Sequence, residues 1–201
     1  MTERPIPFRD WEVRAILKGD KTLTRRIVKP QPWVDDMGNA VWKDTIFGQN
    51  SVGVPHIQSL ASPVPSSRTK RVLCPYGAPG DLLWVRETWA PLKSGSVDFA
   101  ADWSDTQKKF AGKWRPSIHM PRWASRITLE VKSVRVERLQ DISEDDARAE
   151  GVHRTDWEYD DGECCDNDRD ALRALWNHIN GPDAWEANPW VWALSFERVT
   201  P

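Results

Sequence analysis

Arginine and tryptophan side chains recur in the parts of this sequence that read as strands or adjoin strands. A guanidinium group forms paired hydrogen bonds with phosphate or ribose oxygens, and an indole ring stacks on a base. These residue types are suited to hold a phosphate, a ribose edge or a base, although any single one is more often a packing residue or part of an exposed ion pair. The candidates are Arg25, Arg26, Arg86, Trp89, Arg122, Trp123 and Arg126.

His119 is a further candidate for the same ligand-binding site. It lies in the segment Ser-Ile-His-Met-Pro-Arg at residues 117–122. A neutral imidazole has one donor and one acceptor nitrogen, so it can bind a polar ligand. The alternative is a loop histidine whose hydrogen bonds are satisfied within the protein, and the sequence leaves both roles open.

One acidic segment has part of the pattern of a calcium-binding loop. Asp166, Asp168 and Asp170 have the spacing that opens such a loop. Ala171 stands where the loop needs glycine, and Asn177 stands where the bidentate glutamate belongs. We therefore expect no calcium site in this segment.

The three cysteines predict neither a zinc site nor a disulfide framework. Cys164 and Cys165 are adjacent, so they lack the spacing of a zinc half-site, and Cys74 cannot complete one. An odd number of cysteines with one adjacent pair also does not describe a set of disulfides. We expect reduced thiols, no metal ion and no cofactor.

The composition is that of a soluble globular chain of 201 residues, of which 39% are hydrophobic and 29% are charged. This length is sufficient for a single domain with a sizeable core. The formal net charge of −2 disfavours tight binding of duplex DNA. No apolar stretch has the length of a secretory signal or a bilayer span, so we expect a cytoplasmic protein without a membrane partner.

The N-terminal part of the sequence predicts a helix that is followed directly by a strand. Residues 8–18 carry an apolar stripe, and Gly19 suits the C-terminal cap of a helix. Residues 21–28 are rich in β-branched side chains and read as a strand. Residues 29–81 are rich in Pro, Gly, Ser and Asn, which favours an insertion within the single domain rather than a core segment.

The central part of the sequence predicts two strands. Residues 82–89 follow a turn and carry few charges, so they read as a largely buried strand. Residues 127–138 alternate apolar and polar side chains, but the alternation changes phase near Ser133. A β-bulge or a barrel corner explains this phase change.

The C-terminal part predicts two helices and a final strand. Ser143 begins a capping box for a short helix that ends near Glu150, because the glycine that follows can adopt the left-handed cap. Residues 154–170 predict an acidic loop, residues 172–179 an amphipathic helix and residues 190–196 a strand. Strands scattered among short helices, without a regular β-α-β order, favour an α+β barrel.

Four segments resemble the ASCH domain, a branch of the PUA-like superfamily, in order and in content. They are Gly19-Asp-Lys-Thr-Leu-Thr-Arg-Arg26, Pro79-Gly-Asp-Leu-Leu-Trp-Val85, Ile127-Thr-Leu-Glu-Val131 and residues 143–151. Residues 114–126 and 188–192 resemble segments of larger members that phages and prophages encode. The resemblance spans nearly the whole chain. It implies a small β-barrel flanked by short helices, with a pocket for a nucleobase or nucleoside.

A compact bacterial member of this family is an amidohydrolase that removes the acetyl group from N4-acetylcytidine. The resemblance implies that Lys21, Thr24 and Glu150 correspond to its catalytic lysine, threonine and glutamate. Thr24 would supply the nucleophilic hydroxyl, Lys21 would act as base or acid, and Glu150 would orient groups or carry a proton. The sequence departs from the compact member in the insertion at 29–81 and in residues 100–125.

Lys21 and Thr24 reach one pocket only if Lys21 precedes the regular strand. Residues three positions apart in a strand point to opposite faces. We therefore expect Lys21 in the turn that follows Gly19. The alternative is that Lys21 and Glu150 are solvated surface charges and that Thr24 is an ordinary strand residue.

Three functions fit these residues. The first is an amidohydrolase that acts on an N-acylated pyrimidine nucleoside. The second is a module that binds RNA or a modified base in the same cleft without turnover. The third is a ribonuclease that uses a lysine and a glutamate, but the acidic segment 154–170 would repel a long polyanion if it lay beside the cleft. The sequence does not predict the oligomeric state.

Overall fold

The structure is a computed structural model that describes residues 1–29, 31, 33–34, 40–41, 45–46, 70–71, 74–108, 113–153 and 165–199. The strands are β1 (Glu3–Pro7), β2 (Leu23–Ile27), β3 (Trp33–Val34), β4 (Ala40–Val41), β5 (Thr45–Ile46), β6 (Lys70–Arg71), β7 (Leu82–Arg86), β8 (Trp89–Pro91), β9 (Val97–Phe99), β10 (Thr128–Arg138) and β11 (Trp190–Val199). The α-helices are α1 (Asp10–Lys18), α2 (Asp105–Lys108), α3 (Glu144–Ala149) and α4 (Asp168–Asn180). Helices and strands alternate irregularly along the chain, which confirms the α+β class.

A five-stranded mixed sheet forms the centre of the fold, with the strand order β1-β7-β10-β11-β2. β1 pairs with β7 in parallel, and the other neighbouring strands pair antiparallel. In a closed barrel the two edge strands would hydrogen-bond to each other. Here β1 and β2 are the edges, and α1 joins them along the chain. The described strands therefore form an open sheet rather than the closed barrel that the sequence analysis expected.

The first helix and the strand after it lie where the sequence predicts them. α1 ends at Lys18, and Gly19 follows with a φ of 91°. The Gly19 N–H donates to the carbonyls of Ala15 and Ile16, which closes the helix as a left-handed cap does. β2 begins at Leu23, so a short turn separates the helix from the strand.

β10 contains the irregularity that its sequence predicts. Its register against β11 shifts between Val131 and Ser133. The hydroxyl groups of Ser133 and Ser195, which pair across the two strands, lie 2.6 Å apart. A β-bulge at this point explains the change of phase in the apolar pattern.

The two C-terminal helices begin with capping side chains. The Ser143 hydroxyl accepts a hydrogen bond from the Asp146 N–H, and the Asn167 side chain accepts one from the Asp170 N–H. α4 begins at Asp168, so it includes the last residues of the predicted acidic loop. Residues 154–164 of that loop lie outside the described residues.

None of the described helices is long and apolar enough to cross a membrane.

The predicted insertion at 29–81 lies largely outside the described residues and stays a prediction. Within it, the backbones of β3 and β4 pair antiparallel, and those of β5 and β6 pair in parallel. The described chain resumes at Cys74 and enters β7 at Leu82.

Two apolar cores lie on opposite faces of the sheet. The first contains residues of α1, among them Val13 and Ile16, and sheet residues such as Trp192. The second contains residues of α3 and α4 together with Val191. Neighbouring residues of β11 enter different cores because successive side chains of a strand point to opposite faces. β2 pairs with β11 at the edge of the sheet, so it adjoins both cores.

Gly151 lies where the end of α3 packs against α1 and Lys21. Its φ is 75°, and a Cβ on it would lie 3.0 Å from the Cβ atoms of both Ala15 and Lys21. Gly151→Ala should lower the free energy of unfolding by about 2–5 kcal/mol, the sum of left-handed strain and overpacking. Urea unfolding measures this loss.

Gly95→Ala is the matched control for this substitution. Gly95 also has a positive φ, 87°, but no atom lies within 4 Å of the added Cβ. This variant should lose only the conformational part, about 1–2 kcal/mol. Equal losses in the two variants would contradict the close packing of Gly151 on Lys21.

Candidate functional site

A cavity of about 470 Å³ opens at the edge of the sheet beside β2. Side chains of α1, α4, the end of α3 and the neighbouring strand β11 form its other walls. This volume is within the range of pockets that bind small ligands. The cavity gathers all three candidate catalytic residues and two of the candidate binding residues, namely Lys21, Thr24, Glu150, Arg25 and Arg26.

Lys21 and Glu150 form a buried ion pair in the wall of the cavity. Lys21 Nζ lies 2.8 Å from Glu150 Oε2 and donates a second hydrogen bond of 2.8 Å to the Glu150 carbonyl. The two side chains are 1% and 7% exposed. Lys21 lies in the turn after Gly19, as expected, and forms an isolated backbone bridge with Glu150. The alternative of two solvated surface charges is therefore wrong.

Glu12 is a second carboxylate beside Lys21, and the sequence analysis did not select it. Its Oε1 lies 3.6 Å from Lys21 Nζ, and its Oε2 accepts a hydrogen bond of 2.8 Å from the Arg9 N–H. Lys21 Nζ also lies 5.9 Å and 5.7 Å from the ring centroids of Phe8 and Trp11. A glutamate three residues after the helix cap reaches back to the cap N–H, and this spacing is the sequence feature that identifies Glu12.

Arg25 contacts three carboxylates at once, and its side chain is 1% exposed. It donates to Glu137 Oε1 at 2.6 Å and 2.9 Å, to Asp146 Oδ2 at 2.8 Å and to Glu150 Oε1 at 3.3 Å. Burial alone would lower the pKa of Arg25, but the carboxylates outweigh it and raise that pKa. The guanidinium hydrogen-bonds to these three carboxylates. We therefore infer that it orients Glu150 and does not bind a ligand.

Thr24 is buried and lines the cavity, and no described residue hydrogen-bonds to its hydroxyl. Thr24 and Arg25 point to opposite faces of β2 because they are adjacent in a strand. Both reach the cavity because β2 is the last strand of the sheet and no further strand covers that edge among the described residues. An unoccupied hydroxyl of this kind can bind a ligand or attack one as a nucleophile.

The cavity wall also contains hydrogen-bond donors that have no partner. Arg26 Nε and Trp176 Nε1 are both buried without a hydrogen-bond acceptor. The Arg26 guanidinium is held in place by a hydrogen bond of 2.7 Å to the Pro7 carbonyl and lies 5.1 Å from the Phe8 ring centroid. Burial raises the pKa of Tyr76, so its hydroxyl remains a neutral donor at neutral pH.

The structure does not bring the other six candidate binding residues to this cavity. They are Arg86, Trp89, His119, Arg122, Trp123 and Arg126. These residues belong to the segments around β7 and β8 and to the 3₁₀ turns before β10. β7 is separated from β2 by β10 and β11, so the width of the sheet lies between the two groups.

The aromatic members of this second group pack on each other. Trp89 is 2% exposed and belongs to a small core with Met120 and Ala124. Trp123 is 69% exposed and meets the Trp89 ring edge-on, with 5.9 Å between the ring centroids. His119 is exposed at the end of the turn Ser117–His119.

The arginines of the second group pair with protein groups. Arg86 donates to the Ile118 carbonyl, and Arg122 donates to Glu3 at 3.0 Å. Arg126 forms ion pairs with Glu87 at 3.0 Å and with Asp102 at 2.6 Å. Burial raises the pKa of Glu87, and its contacts with Arg126 oppose that rise. The ordinary alternative of ion pairing therefore describes Arg122 and Arg126.

Neither metal ligation nor thiol chemistry is indicated by the described part of the chain. No group of three or more His, Cys, Asp or Glu residues within it could hold a metal ion. Cys74 is buried, and burial raises the pKa of its thiol to about 11. The Cys74 thiol is therefore a poor nucleophile at neutral pH.

Comparisons of the chain with family models, curated proteins and solved structures find no match. These comparisons neither support nor contradict the resemblance to the ASCH domain.

Loss of Arg25 should disrupt the cluster that surrounds Glu150. Arg25→Met leaves Glu137, Asp146 and Glu150 without the cation they share, which should cost about 3–5 kcal/mol of unfolding free energy at pH 7. Arg25 has a raised pKa, so its stabilisation persists at every pH below its ordinary pKa. The cost should therefore stay nearly constant between about pH 7 and pH 10, because the guanidinium keeps its charge throughout that range. Urea unfolding at several pH values tests this.

Arg173→Met is the control, because Arg173 pairs with one carboxylate, Glu186, at 2.6 Å on the surface. The two side chains are 44% and 46% exposed. This substitution should cost about 0–1 kcal/mol. A similarly small cost for Arg25→Met, or a cost that falls between about pH 7 and pH 10, would contradict the account of the buried cluster.

Proposed function

We propose that this chain is an ASCH-type amidohydrolase that removes an acyl group from an N-acylated pyrimidine nucleoside such as N4-acetylcytidine. One observation carries the proposal: the buried Lys21–Glu150 ion pair lines a cavity that Thr24 also lines. Amide hydrolysis needs a nucleophile, a proton carrier and a donor to the oxyanion, and these three residues can supply them. The proposal includes membership of the PUA-like superfamily.

In the first half of the reaction, Thr24 Oγ1 attacks the acyl carbonyl carbon. Glu150 accepts the hydroxyl proton, and Lys21 Nζ donates a hydrogen bond to the oxygen that becomes negative. The tetrahedral intermediate then breaks its C–N bond, and the base amine leaves with the proton from Glu150. Lys21 already donates to both the carboxylate and the carbonyl of Glu150, so the role of donor fits it better than the role of base.

In the second half of the reaction, water hydrolyses the acyl ester on Thr24. Glu150 accepts a proton from the attacking water and returns one to Thr24 Oγ1 when the ester bond breaks. A carboxylic acid leaves, and the Thr24 hydroxyl is restored. No redox partner or cofactor takes part in either half.

The second candidate function is binding of a modified base or RNA without turnover. The observation that favours it is that the positive and negative side chains around Glu150 neutralise each other. Lys21 and Arg25 both pair with carboxylates of the protein itself, as in a purely structural network. In this reading the unpaired donors Arg26 Nε and Trp176 Nε1 would bind the base. Ribonuclease activity remains the third candidate, and no contact of the described residues favours it over the other two.

Incubation of the purified protein with N4-acetylcytidine, with cytidine measured by chromatography, tests the proposal. The wild type should release cytidine. Thr24→Val removes the hydroxyl at constant shape, and Lys21→Met removes the donor, so each should lower kcat by at least about 100-fold. Thr22→Val is the matched control, because the Thr22 side chain is exposed and does not line the cavity.

Full activity of Thr24→Val would rule out Thr24 as the nucleophile. A folded wild-type protein that binds N4-acetylcytidine but releases no cytidine would favour the binding module. Circular dichroism of each variant separates loss of activity from loss of fold.

A further inference from the structure

We propose that the ligand of this cavity is a mononucleotide, with its phosphate held by Arg9, Arg26 and Lys29. This inference rests on the proposed function, because it specifies the substrate class for the same site. The inference predicts that the nucleoside on which Lys21 and Glu150 act carries a phosphate group. The assignment follows from the charges, the unpaired donors and the size of the cavity.

Positive side chains outnumber negative ones among the described residues of the cavity wall. Among the described residues, five cations and two carboxylates line it: Arg9, Lys21, Arg25, Arg26, Lys29, Glu12 and Glu150. Both carboxylates contact Lys21, and Glu150 also contacts Arg25. Among the described residues, no carboxylate lies within 4 Å of Arg9, Arg26 or Lys29. Three cations in one cavity are thus available to an anionic ligand.

Arg26 is the best positioned of these three cations. Its hydrogen bond to the Pro7 carbonyl and its contact with the Phe8 ring fix the guanidinium. Its buried Nε still lacks an acceptor, which is unfavourable for a buried donor. The residue as a whole is half-buried, and a phosphate oxygen at the accessible part of the guanidinium would neutralise its charge. Tyr76, whose hydroxyl stays protonated, lines the same wall.

The cavity also has the features needed to receive a base. The indole rings of Trp11, Trp176 and Trp192 contribute to its walls, and an indole ring is a stacking surface for a base. Trp176 Nε1 is a buried donor without an acceptor. A carbonyl oxygen on the ring of a pyrimidine supplies an acceptor of the required kind. Indole rings and cations without carboxylate partners therefore match the two ends of a nucleotide, its base and its phosphate.

The size of the cavity favours a mononucleotide over a longer chain. Its volume of about 470 Å³ lies in the lower part of the range for small-ligand pockets, about 300–1,000 Å³. A single-stranded nucleic acid instead requires a groove that follows several successive phosphates. Three cations in a cavity of this size suit one phosphate rather than a series of phosphates.

Calorimetric titration of the intact protein with cytidine and with cytidine 5′-monophosphate tests the inference. The monophosphate should bind at least about tenfold more tightly, which corresponds to one charge-assisted hydrogen bond. Arg26→Gln and Lys29→Gln should each remove most of this difference. Arg26→Lys keeps the charge but loses the planar fork, and it should retain part of the difference. Lys18→Gln is the control, since Lys18 is exposed outside this cavity.

Equal affinities for cytidine and its monophosphate, or no binding of either, would overturn the inference. A short cytidine oligonucleotide that binds more tightly than the monophosphate would overturn the choice of a mononucleotide in favour of RNA. The titration needs no turnover, so its result is separate from that of the deacylation assay. Tight binding of the monophosphate by a protein without hydrolytic activity would support the inference and refute the amidohydrolase.

Discussion

The buried carboxylate of Glu150 is the group on which the rest of this site depends. A carboxylate can be buried only if other groups replace the water it loses. Lys21 holds one of its oxygens at 2.8 Å and Arg25 holds the other at 3.3 Å. Lys21 is brought there by the turn after α1, Arg25 by the edge strand β2, and Glu150 by the end of α3. The junction of these three elements is therefore fixed by charge as well as by packing.

Local patterns predicted most elements of the fold, whereas pairing between distant segments was harder to predict. The end of α1 at Lys18 and the bulge near Ser133 follow from a cap and from a change of apolar phase, which are properties of neighbouring residues. Closure of the sheet depends instead on whether β1 and β2 meet. The sequence pattern of neither strand indicates whether the two strands pair. In the described residues they do not, and the sheet is open where a barrel was expected.

The candidate site was predictable to the extent that its residues belong to short motifs. The segment from Gly19 to Arg26 contains Lys21 and Thr24, and the capping pattern that begins at Ser143 leads to Glu150. The partners of Arg25 were not predictable, because Glu137 and Asp146 lie 112 and 121 positions away in the sequence. Arginine and tryptophan also serve ordinary packing and ion pairing, which is why six of the candidate binding residues lie elsewhere.

Peptide mass mapping after rapid quenching measures the central claim most directly. The protein is mixed with N4-acetylcytidine, quenched at increasing times and digested, and the mass of each peptide is recorded. The account predicts that one acetyl group appears on the peptide that contains Thr24 and disappears as the substrate is consumed, because the reaction passes through a Thr24 ester. Release of cytidine while that peptide keeps its unmodified mass at every time would contradict Thr24 as the nucleophile.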